Sequence, residues 1–400
     1  MASLSRILSR KLSTATAVAA TTPTSTRTPM KTIVNNLFKQ KKYTQLVTDF
    51  KKSAESSRFR AKHRVYEDTI RRLASAKRFK LIEEILEDHK KYNDITKEGF
   101  AIRLISLYGK AGMLEHAVKT FDELPELKCD RTVKSFNAIL SACVESKNYD
   151  KVESMFREMP KKVGVGVDEF SYTIVIQAFC GMGNMDKAVL LLDEMEGKGL
   201  KPNLVTYNVL LHKLYEEGRF SDGEKIWARM EKKEIVPDIR SYNSKLRGLV
   251  NEGNTWKAVK LVEDLKTKEL KPDTYSYNAL IKGYCKDGKM DGAKRVYEDL
   301  VKSDLGLNRW TYDAYLPFLC EKEDYDLALE LCKKSMDNNC KIDGKLVQAV
   351  VNGLVKNSKL EAAKRLVSLA RLKSYAHSQV KMPSEDADQK KKKSEDAVSG

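Results

Sequence analysis

A period of 35 residues runs through this chain and constrains its fold more than any other feature. Three consecutive copies each open with a Tyr-Asn dipeptide, have a glycine near the middle and follow a Pro-Asn or Pro-Asp dipeptide. Their openings are Tyr207-Asn208, Tyr242-Asn243 and Tyr277-Asn278. Self-similarity at this length predicts a stack of repeats in which each unit is covered by its neighbours, rather than one globular core.

The repeats extend over most of the 400-residue chain. Copies in the same register begin at His63, Glu98, Val133, Glu169, Leu204, Ile239, Thr274, Arg309 and Gly344, and each is named below by its first residue. The Val133 repeat contains one extra residue. The main array is therefore predicted over residues 63–378, with a degenerate copy over residues 28–62.

Each copy has the pattern of two helices. In the Leu204 repeat, apolar residues recur at helical spacing from Tyr207 to Leu214 and again from Ile226 to Met230. A break around Gly218 separates the two runs. A small residue recurs at the twentieth position, which predicts that a neighbouring helix backbone approaches closely there. No sustained alternation indicates strands, so the predicted fold class is all-α.

These residues resemble the P class of the pentatricopeptide repeat family. The closest likeness is in the first helices, at residues 206–211 and 276–288, and it recurs in most copies. The resemblance implies a right-handed α-solenoid of about nine to ten 35-residue helix-turn-helix repeats. It also implies that the first helix of each repeat lines the concave side.

Members of this family read single-stranded RNA one base per repeat. The resemblance assigns the reading to the fifth residue of a repeat and to the residue just before the next repeat. The pairs here are Asn137 with Asp168, Thr173 with Asn203, Asn208 with Asp238, Asn243 with Asp273, and Asn278 with Asn308. By the family's rule they would read U, A, U, U and a pyrimidine, from 5′ to 3′.

These residue types at the paired positions also have a purely structural explanation. Asn early in a helix and Asp after Pro are also ordinary cap and turn residues. Three further pairs do not resemble base readers: Glu67 with Lys97, Ile102 with Thr132, and Asp313 with Asp343. Those repeats are predicted to be scaffold or protein contacts.

Charge supports a nucleic-acid partner, and the first residues indicate a destination. The net charge is +17, from 73 basic and 56 acidic side chains, and such an excess attracts a phosphate backbone.

No acid occurs before Asp49. Residues 1–27 are therefore predicted to be a mitochondrial transit peptide, with cleavage after Leu12, so that the protein lies in the mitochondrial matrix; a plastid is the alternative. Residues 379–400 are predicted to form a disordered charged tail.

The sequence contains no recognisable catalytic, cofactor or metal motif. It has no phosphate-binding loop of the form GxxxxGK[ST], no deaminase set of HxE with CxxC, and seven cysteines without a CxxC. No segment has the length of a membrane span, so neither a membrane nor a small-molecule substrate is predicted. We therefore expect a binding protein and not an enzyme.

Two functions remain open at this stage. The segments 97–101 and 107–113, with 57–60 and 82–87, resemble the small plant pentatricopeptide proteins of the mitochondrial ribosome. That resemblance implies a structural component of the small subunit that contacts rRNA and mitoribosomal proteins. The alternative is a free trans-acting factor for transcript stability, processing or translation. Five base-reading pairs favour the first, because a five-base site recurs by chance roughly once per thousand nucleotides even if each pair discriminates fully.

Overall fold

The computed structural model describes residues 29–373 and 380–383. All regular secondary structure in this part of the chain is helical, as predicted. The predicted transit peptide, residues 1–27, lies outside the described residues, and so do residue 379 and residues 384–400 of the predicted tail. The chain divides into two compact units, up to Ile95 and from Thr96 onwards.

From residue 29 onwards, the first unit contains five α-helices followed by two short 3-10 turns, His89–Lys91 and Asn93–Thr96, the second of which ends at the boundary. The α-helices are α1 Met30–Lys39, α2 Tyr43–Ala54, α3 Ser57–Arg60, α4 His63–Ser75 and α5 Phe79–Asp88. Their core is an aromatic cluster of Phe50, Phe59, Tyr66 and His89. His89 Nδ1 donates to the Ile85 carbonyl at 2.6 Å, so its Nε2 accepts from the Tyr66 hydroxyl at 2.7 Å.

Up to residue 373, the second unit is a row of eight helix pairs, one for each repeat from Glu98 to Gly344. The first helices are α6 Glu98–Lys110, α8 Val133–Glu145, α10 Glu169–Gly181, α12 Leu204–Glu216, α14 Ile239–Asn251, α16 Thr274–Lys286, α18 Arg309–Glu321 and α20 Gly344–Lys356. The second helices are α7 Leu114–Asp122, α9 Tyr149–Val163, α11 Met185–Gly197, α13 Phe220–Lys232, α15 Thr255–Thr267, α17 Met290–Lys302, α19 Tyr325–Asp337 and α21 Leu360–Leu372.

The turn inside each pair is left-handed. Gly218 has φ of +75°, and the equivalent Gly112, Gly183, Gly253 and Gly288 are similar. Glycine adopts this conformation at no steric cost, which explains its recurrence. The other repeats use the same conformation without glycine, at Lys77, Lys147, Glu323 and Ser358. Those four turns are therefore strained, because an L-residue in this region costs roughly 1–2 kcal/mol.

First helices form the inner side of the second unit. Within this unit each first helix contacts the first helix of the next repeat, and from α6 to α18 these contacts are more extensive than those between successive second helices. At the end of the unit, α19 and α21 contact each other about as much as α18 and α20 do. The shorter side of a curved stack is the one whose helices lie closer together. The small residues at the twentieth position are fully buried at Ala117, Ala188, Ala258, Ala293, Ala328 and Ala363. At Gly223, however, the closest neighbour is the Tyr215 ring and not a helix backbone, so the predicted reason is wrong there.

Ion pairs on the second helices join successive repeats. Glu194 on α11 accepts from both terminal nitrogens of Arg157 on α9, at 2.6 and 2.7 Å. It also accepts from the Tyr172 hydroxyl at 2.8 Å and from Lys198 at 3.0 Å. The hydrogen bonds from Arg157 are the main cause that lowers the pKa of Glu194 to about 2. This carboxylate is therefore ionised at any physiological pH.

Candidate nucleic-acid interface

The inner surface is formed by one face of each first helix. The third, fourth, seventh and eighth residues of α12 are buried in the stack: Thr206, Tyr207, Leu210 and Leu211. Residues at the second, fifth and ninth positions follow each other at intervals of three and four residues, so they share the opposite face. The predicted base readers at the fifth position therefore lie on the face that lines the inner side.

Four of the five predicted pairs are brought together by direct hydrogen bonds. In each pair the side-chain Nδ2 of the fifth residue donates to an oxygen of its partner. The distances are 2.9 Å for Asn137 to Asp168, 3.0 Å for Asn208 to Asp238, 3.0 Å for Asn243 to Asp273 and 3.0 Å for Asn278 to Asn308. The residues that precede each repeat thus meet the fifth residue of the repeat before it, at the boundary between two units.

The fifth pair is held differently. Thr173 is buried and its hydroxyl donates to the backbone carbonyl of Glu169 at 2.8 Å. The same hydroxyl lies 2.8 Å from the hydroxyl of Thr206, which in turn donates to Asn203 at 3.3 Å. Thr173 and Asn203 are therefore connected through Thr206, because the threonine side chain is too short for the direct contact.

The second member of every pair is also a helix cap. Asp168, Asn203, Asp238, Asp273 and Asn308 each accept from a backbone N–H of the helix that follows, and each forms a capping box with the third residue of that helix. The ordinary structural reading of these residues is therefore correct. It does not exclude base contact, because an aspartate has a second oxygen and an asparagine has an amide NH2 group beside the oxygen that caps the helix.

Two of the three capping aspartates, Asp168 and Asp238, keep one oxygen available, whereas both oxygens of Asp273 accept from Asn243. Oδ1 of Asp238 accepts from the backbone N–H groups of Arg240 and Ser241, from the Ser241 hydroxyl and from Asn208. Among the described residues, no donor is recorded on its Oδ2. Burial raises the pKa of Asp238, but the hydrogen bonds from Ser241 and Asn208 outweigh burial and hold the pKa below its usual value. Its Oδ2 is therefore a charged acceptor at neutral pH.

A hydroxyl at the third position completes three of the five pairs, and sequence reasoning missed it. Ser171, Ser241 and Ser276 are fully buried, and each donates to Oδ1 of the preceding asparagine at 2.6 to 2.7 Å. The asparagine amide is thereby fixed in orientation before any ligand arrives. Ser or Thr recurs at this position in every repeat from Ser135 to Thr311, and that recurrence could have revealed the role.

Sequence reasoning also missed exposed apolar side chains at the second position. Phe170, Val205, Tyr275 and Trp310 are 62, 58, 57 and 63 % exposed, although residues of their types are usually buried. Each lies one helical turn before a fifth-position residue. Flat or branched apolar groups in such a row can stack against unpaired bases.

Other kinds of site have little support in the described residues. No group of three His, Cys, Asp or Glu side chains in them is arranged to hold a metal ion. No helix within 29–373 has both the length and the apolar character needed to cross a bilayer. Burial raises the pKa of the thiols at Cys180 and Cys285 to about 12, so these cysteines are unreactive packing residues.

Comparison with family models gives a continuous match. The PPR repeat family matches residues 131–181, 167–216, 204–251, 237–286 and 272–321, and the pentatricopeptide repeat domain matches residues 101–146. Together these matches cover more than half of the chain without a gap.

Two Arabidopsis thaliana proteins are similar over half of the chain. The small ribosomal subunit protein mS79 (rPPR3b) is 45% identical over 212 residues, which cover 50% of this chain and 53% of that protein. The small ribosomal subunit protein mS78 (rPPR3a) is 46% identical over 211 residues, with the same coverage. The chain thus spans about half the length of each relative.

Solved structures include the pentatricopeptide repeat protein PPR10 from maize. It matches with a TM-score of 0.47 and 18% sequence identity, over 86% of this chain and 59% of that chain.

Proposed function

Because the chain belongs to the pentatricopeptide repeat family, we propose that its inner surface binds single-stranded RNA. The observation that carries this proposal is the row of hydrogen-bonded pairs at successive repeat boundaries. An asparagine amide fixed beside a charged carboxylate offers both a donor and an acceptor to the Watson-Crick edge of a base. The exposed side chains at the second position offer stacking surfaces beside it.

The proposed site residues are the ten members of the five pairs. Their order along the array corresponds to a strand read as U, A, U, U and a pyrimidine. Uracil presents one donor between two acceptors on its Watson-Crick edge. The free Oδ2 of Asp168 and Asp238 suits that donor, and the second Nδ2 hydrogen of Asn137 and Asn208 suits a carbonyl.

We further propose that the protein is a structural component of the small subunit of the mitochondrial ribosome. Two similar Arabidopsis relatives are named small ribosomal subunit proteins, and the similarity covers about half of each. Five base-reading pairs recognise a sequence that is too short to specify one site among many transcripts. A ribosomal component that is held permanently by many contacts does not need a longer recognition sequence.

The first unit fits that role as a second type of contact. Residues 30–64 contain ten lysines and arginines but only two acids. Lys39, Lys41, Lys42 and Lys62 are exposed, and the repeat that follows them has no base-reading pair. A cationic surface without base readers binds a phosphate backbone regardless of sequence.

A mitochondrial location follows from the same proposal. Arabidopsis relatives of this chain include mitochondrial pentatricopeptide repeat proteins, one of them 40% identical over 162 residues. The transit peptide over residues 1–27, the degenerate repeat over 28–62, the array over 63–378 and the charged tail over 379–400 remain the proposed domain organisation. The proposed role is binding and assembly, and no catalytic step is assigned.

Sedimentation of mitochondrial lysate tests the ribosomal role. The protein is expected to migrate with the small subunit through a high-salt wash, because many contacts hold a built-in component. Release as a light particle would instead support a free trans-acting factor. The double change of Asn208 and Asn243 to Ala separates the two further: assembly should survive it in a ribosomal component, whereas a free factor should lose binding to a U-rich site.

A further inference from the structure

The ninth position of three consecutive repeats forms a basic row on the inner surface. It carries His212 in the Leu204 repeat, Arg247 in the Ile239 repeat and Lys282 in the Thr274 repeat. The other repeats of the second unit have uncharged residues there: Ser106, Ser141, Gln177, Pro317 and Asn352. The row therefore coincides with the three central repeats that carry the pairs of Asn208, Asn243 and Asn278.

Helix geometry places this row beside the base-reading pairs. Each ninth residue follows its fifth-position asparagine by four residues, which is about one helical turn on the same face. Arg247 crosses to the preceding repeat, where its Nη2 donates to Nδ1 of His212 at 2.5 Å. The row thus runs along the stacking direction, parallel to the pairs and about one turn away.

The positive charge of Arg247 is incompletely compensated. Burial first, and then the charge of Arg247 itself, lower the pKa of His212, so the imidazole is neutral at pH 7. It accepts a hydrogen bond without cancelling the charge. Glu216 lies 3.6 Å from Nη1 of Arg247, but the same carboxylate lies 3.3 Å from Lys213. Nε of Arg247 is buried and has no hydrogen-bond partner within the described part of the chain.

Lys282 adds a second uncompensated cation. No carboxylate lies within 4 Å of its Nζ among the described residues. Burial, followed by repulsion from Lys286 and Arg247, lowers the pKa of Lys282. Lys286 donates to the Val250 carbonyl at 3.5 Å and has no carboxylate within 4 Å in the described part of the chain. An anion bound between these cations on the solvent-accessible inner face would relieve their mutual repulsion, so the arrangement favours anion binding.

We propose that Arg247 and Lys282, with His212 orienting the guanidinium, bind backbone phosphates of the RNA strand at the three central repeats. This assignment rests on the proposed RNA-binding function. A guanidinium can bind two phosphate oxygens at once, and the lysine supplies a point charge one repeat further on. Affinity is therefore concentrated in residues 204–308, while the pairs of Asn137 and Thr173 contribute mainly base preference.

The salt dependence of binding tests the proposal on the full-length chain. The probe is an RNA oligonucleotide containing U-A-U-U-U, together with a version in which these bases are permuted. The double variant R247Q/K282Q is expected to bind both roughly ten-fold or more weakly, because hydrogen bonds to charged groups are lost. The slope of log affinity against log salt should become shallower by about 1.4, since each lost contact to a single strand contributes about 0.7.

A matched control removes the same charge from the second helices. Lys260 on α15 and Lys294 on α17 are exposed and have no carboxylate within 4 Å among the described residues. The variant K260Q/K294Q should change affinity less than about three-fold and leave the slope unaltered, because only long-range attraction is lost. Equal losses in both variants would overturn the assignment.

Two further results keep the outcomes distinct. Preference for the U-A-U-U-U strand over the permuted one should persist in R247Q/K282Q, because phosphates carry no sequence information. If the double variant loses helical circular dichroism, the single variant K282Q serves as the test, because Lys282 is exposed. Its slope of log affinity against log salt should become shallower by about 0.7, and an unchanged slope would contradict the proposal. An unmodified protein that binds neither strand would refute the RNA-binding function itself, whereas unimpaired binding by R247Q/K282Q refutes only the phosphate site.

Discussion

Replacing Asp273 with Asn is expected to separate helix capping from base reading. Oδ1 of Asp273 accepts from the backbone N–H groups of Tyr275 and Ser276, at 2.9 and 3.0 Å. Asn243 Nδ2 donates to both carboxylate oxygens, at 3.0 and 3.1 Å. An asparagine in this place keeps one oxygen for the cap and for Asn243, and loses the charge.

The protein already contains the product of this change at another boundary. Asn308 caps α18 by accepting from the Thr311 N–H at 3.2 Å, and it also accepts from Asn278 at 3.0 Å. The free energy of unfolding of Asp273→Asn should therefore lie within about 0.5 kcal/mol of the unmodified protein, because Asn and Asp cap helices about equally well. Asp273→Ala loses the cap and the contact with Asn243, which amounts to about 2 kcal/mol.

Asp273→Asn should change base preference although it leaves stability almost unaltered. By the family's rule, an Asn with Asn pair accepts pyrimidines, whereas Asn with Asp prefers U. Asp273→Asn should thus remove most of the preference for U over C at one nucleotide, worth about 1–3 kcal/mol. Urea unfolding followed by circular dichroism gives the stabilities, and competition between oligonucleotides with U or C gives the preference. Equal destabilisation by Asn and Ala, or an unchanged preference, would refute the reasoning.

Three other changes probe the stack and its inner surface. Glu194→Gln should lower stability by about 1–2 kcal/mol at pH 7, since hydrogen bonds to a charged group are lost. Because the folded pKa of Glu194 is depressed from 4.5 to about 2, this difference should be complete above pH 4.5 and disappear as the pH falls towards 2, as measured by urea unfolding across that range. Gly109→Ala should destabilise by about 1–3 kcal/mol, because its Cβ would lie 2.6 Å from the Ala142 backbone, whereas Gly99→Ala on the same helix meets no atom within 4 Å and should be neutral or stabilising in thermal unfolding. Tyr275→Ala should weaken RNA binding by about 1–3 kcal/mol in a mobility-shift assay and leave the melting temperature unchanged, because this ring is 57 % exposed.

The paired helices could be predicted because the repeat period and the apolar pattern are local. Gly218 and its equivalents mark the turn, and the interval from Tyr207 to Leu214 marks the first helix. The same register predicted which residues meet across a repeat boundary. Asn208 is the fifth residue of its repeat and Asp238 directly precedes the next repeat, and the other pairs occupy the same two positions. Capping by Asp238 could also be expected from its place directly before a helix.

Features that depend on several repeats at once could not be predicted. The sequence does not show that Asp238 uses Oδ1 for its internal hydrogen bonds and leaves Oδ2 free. It likewise does not show that Arg247 points back to His212, because a long side chain has many rotamers. The close neighbour of Gly223 is an aromatic side chain of its own repeat, and only the packed structure reveals that choice.

Selection of bound sequences from a random RNA pool tests the central claim most directly, namely that successive boundary pairs each read one base of a single strand. The full-length protein is expected to enrich U, A, U, U and a pyrimidine in that order. The double change of Asn208 and Asn243 to Ala should abolish enrichment at the third and fourth bases and leave enrichment at the first, second and fifth. Enrichment that is absent from the unmodified protein, or identical in the double variant, would contradict the claim.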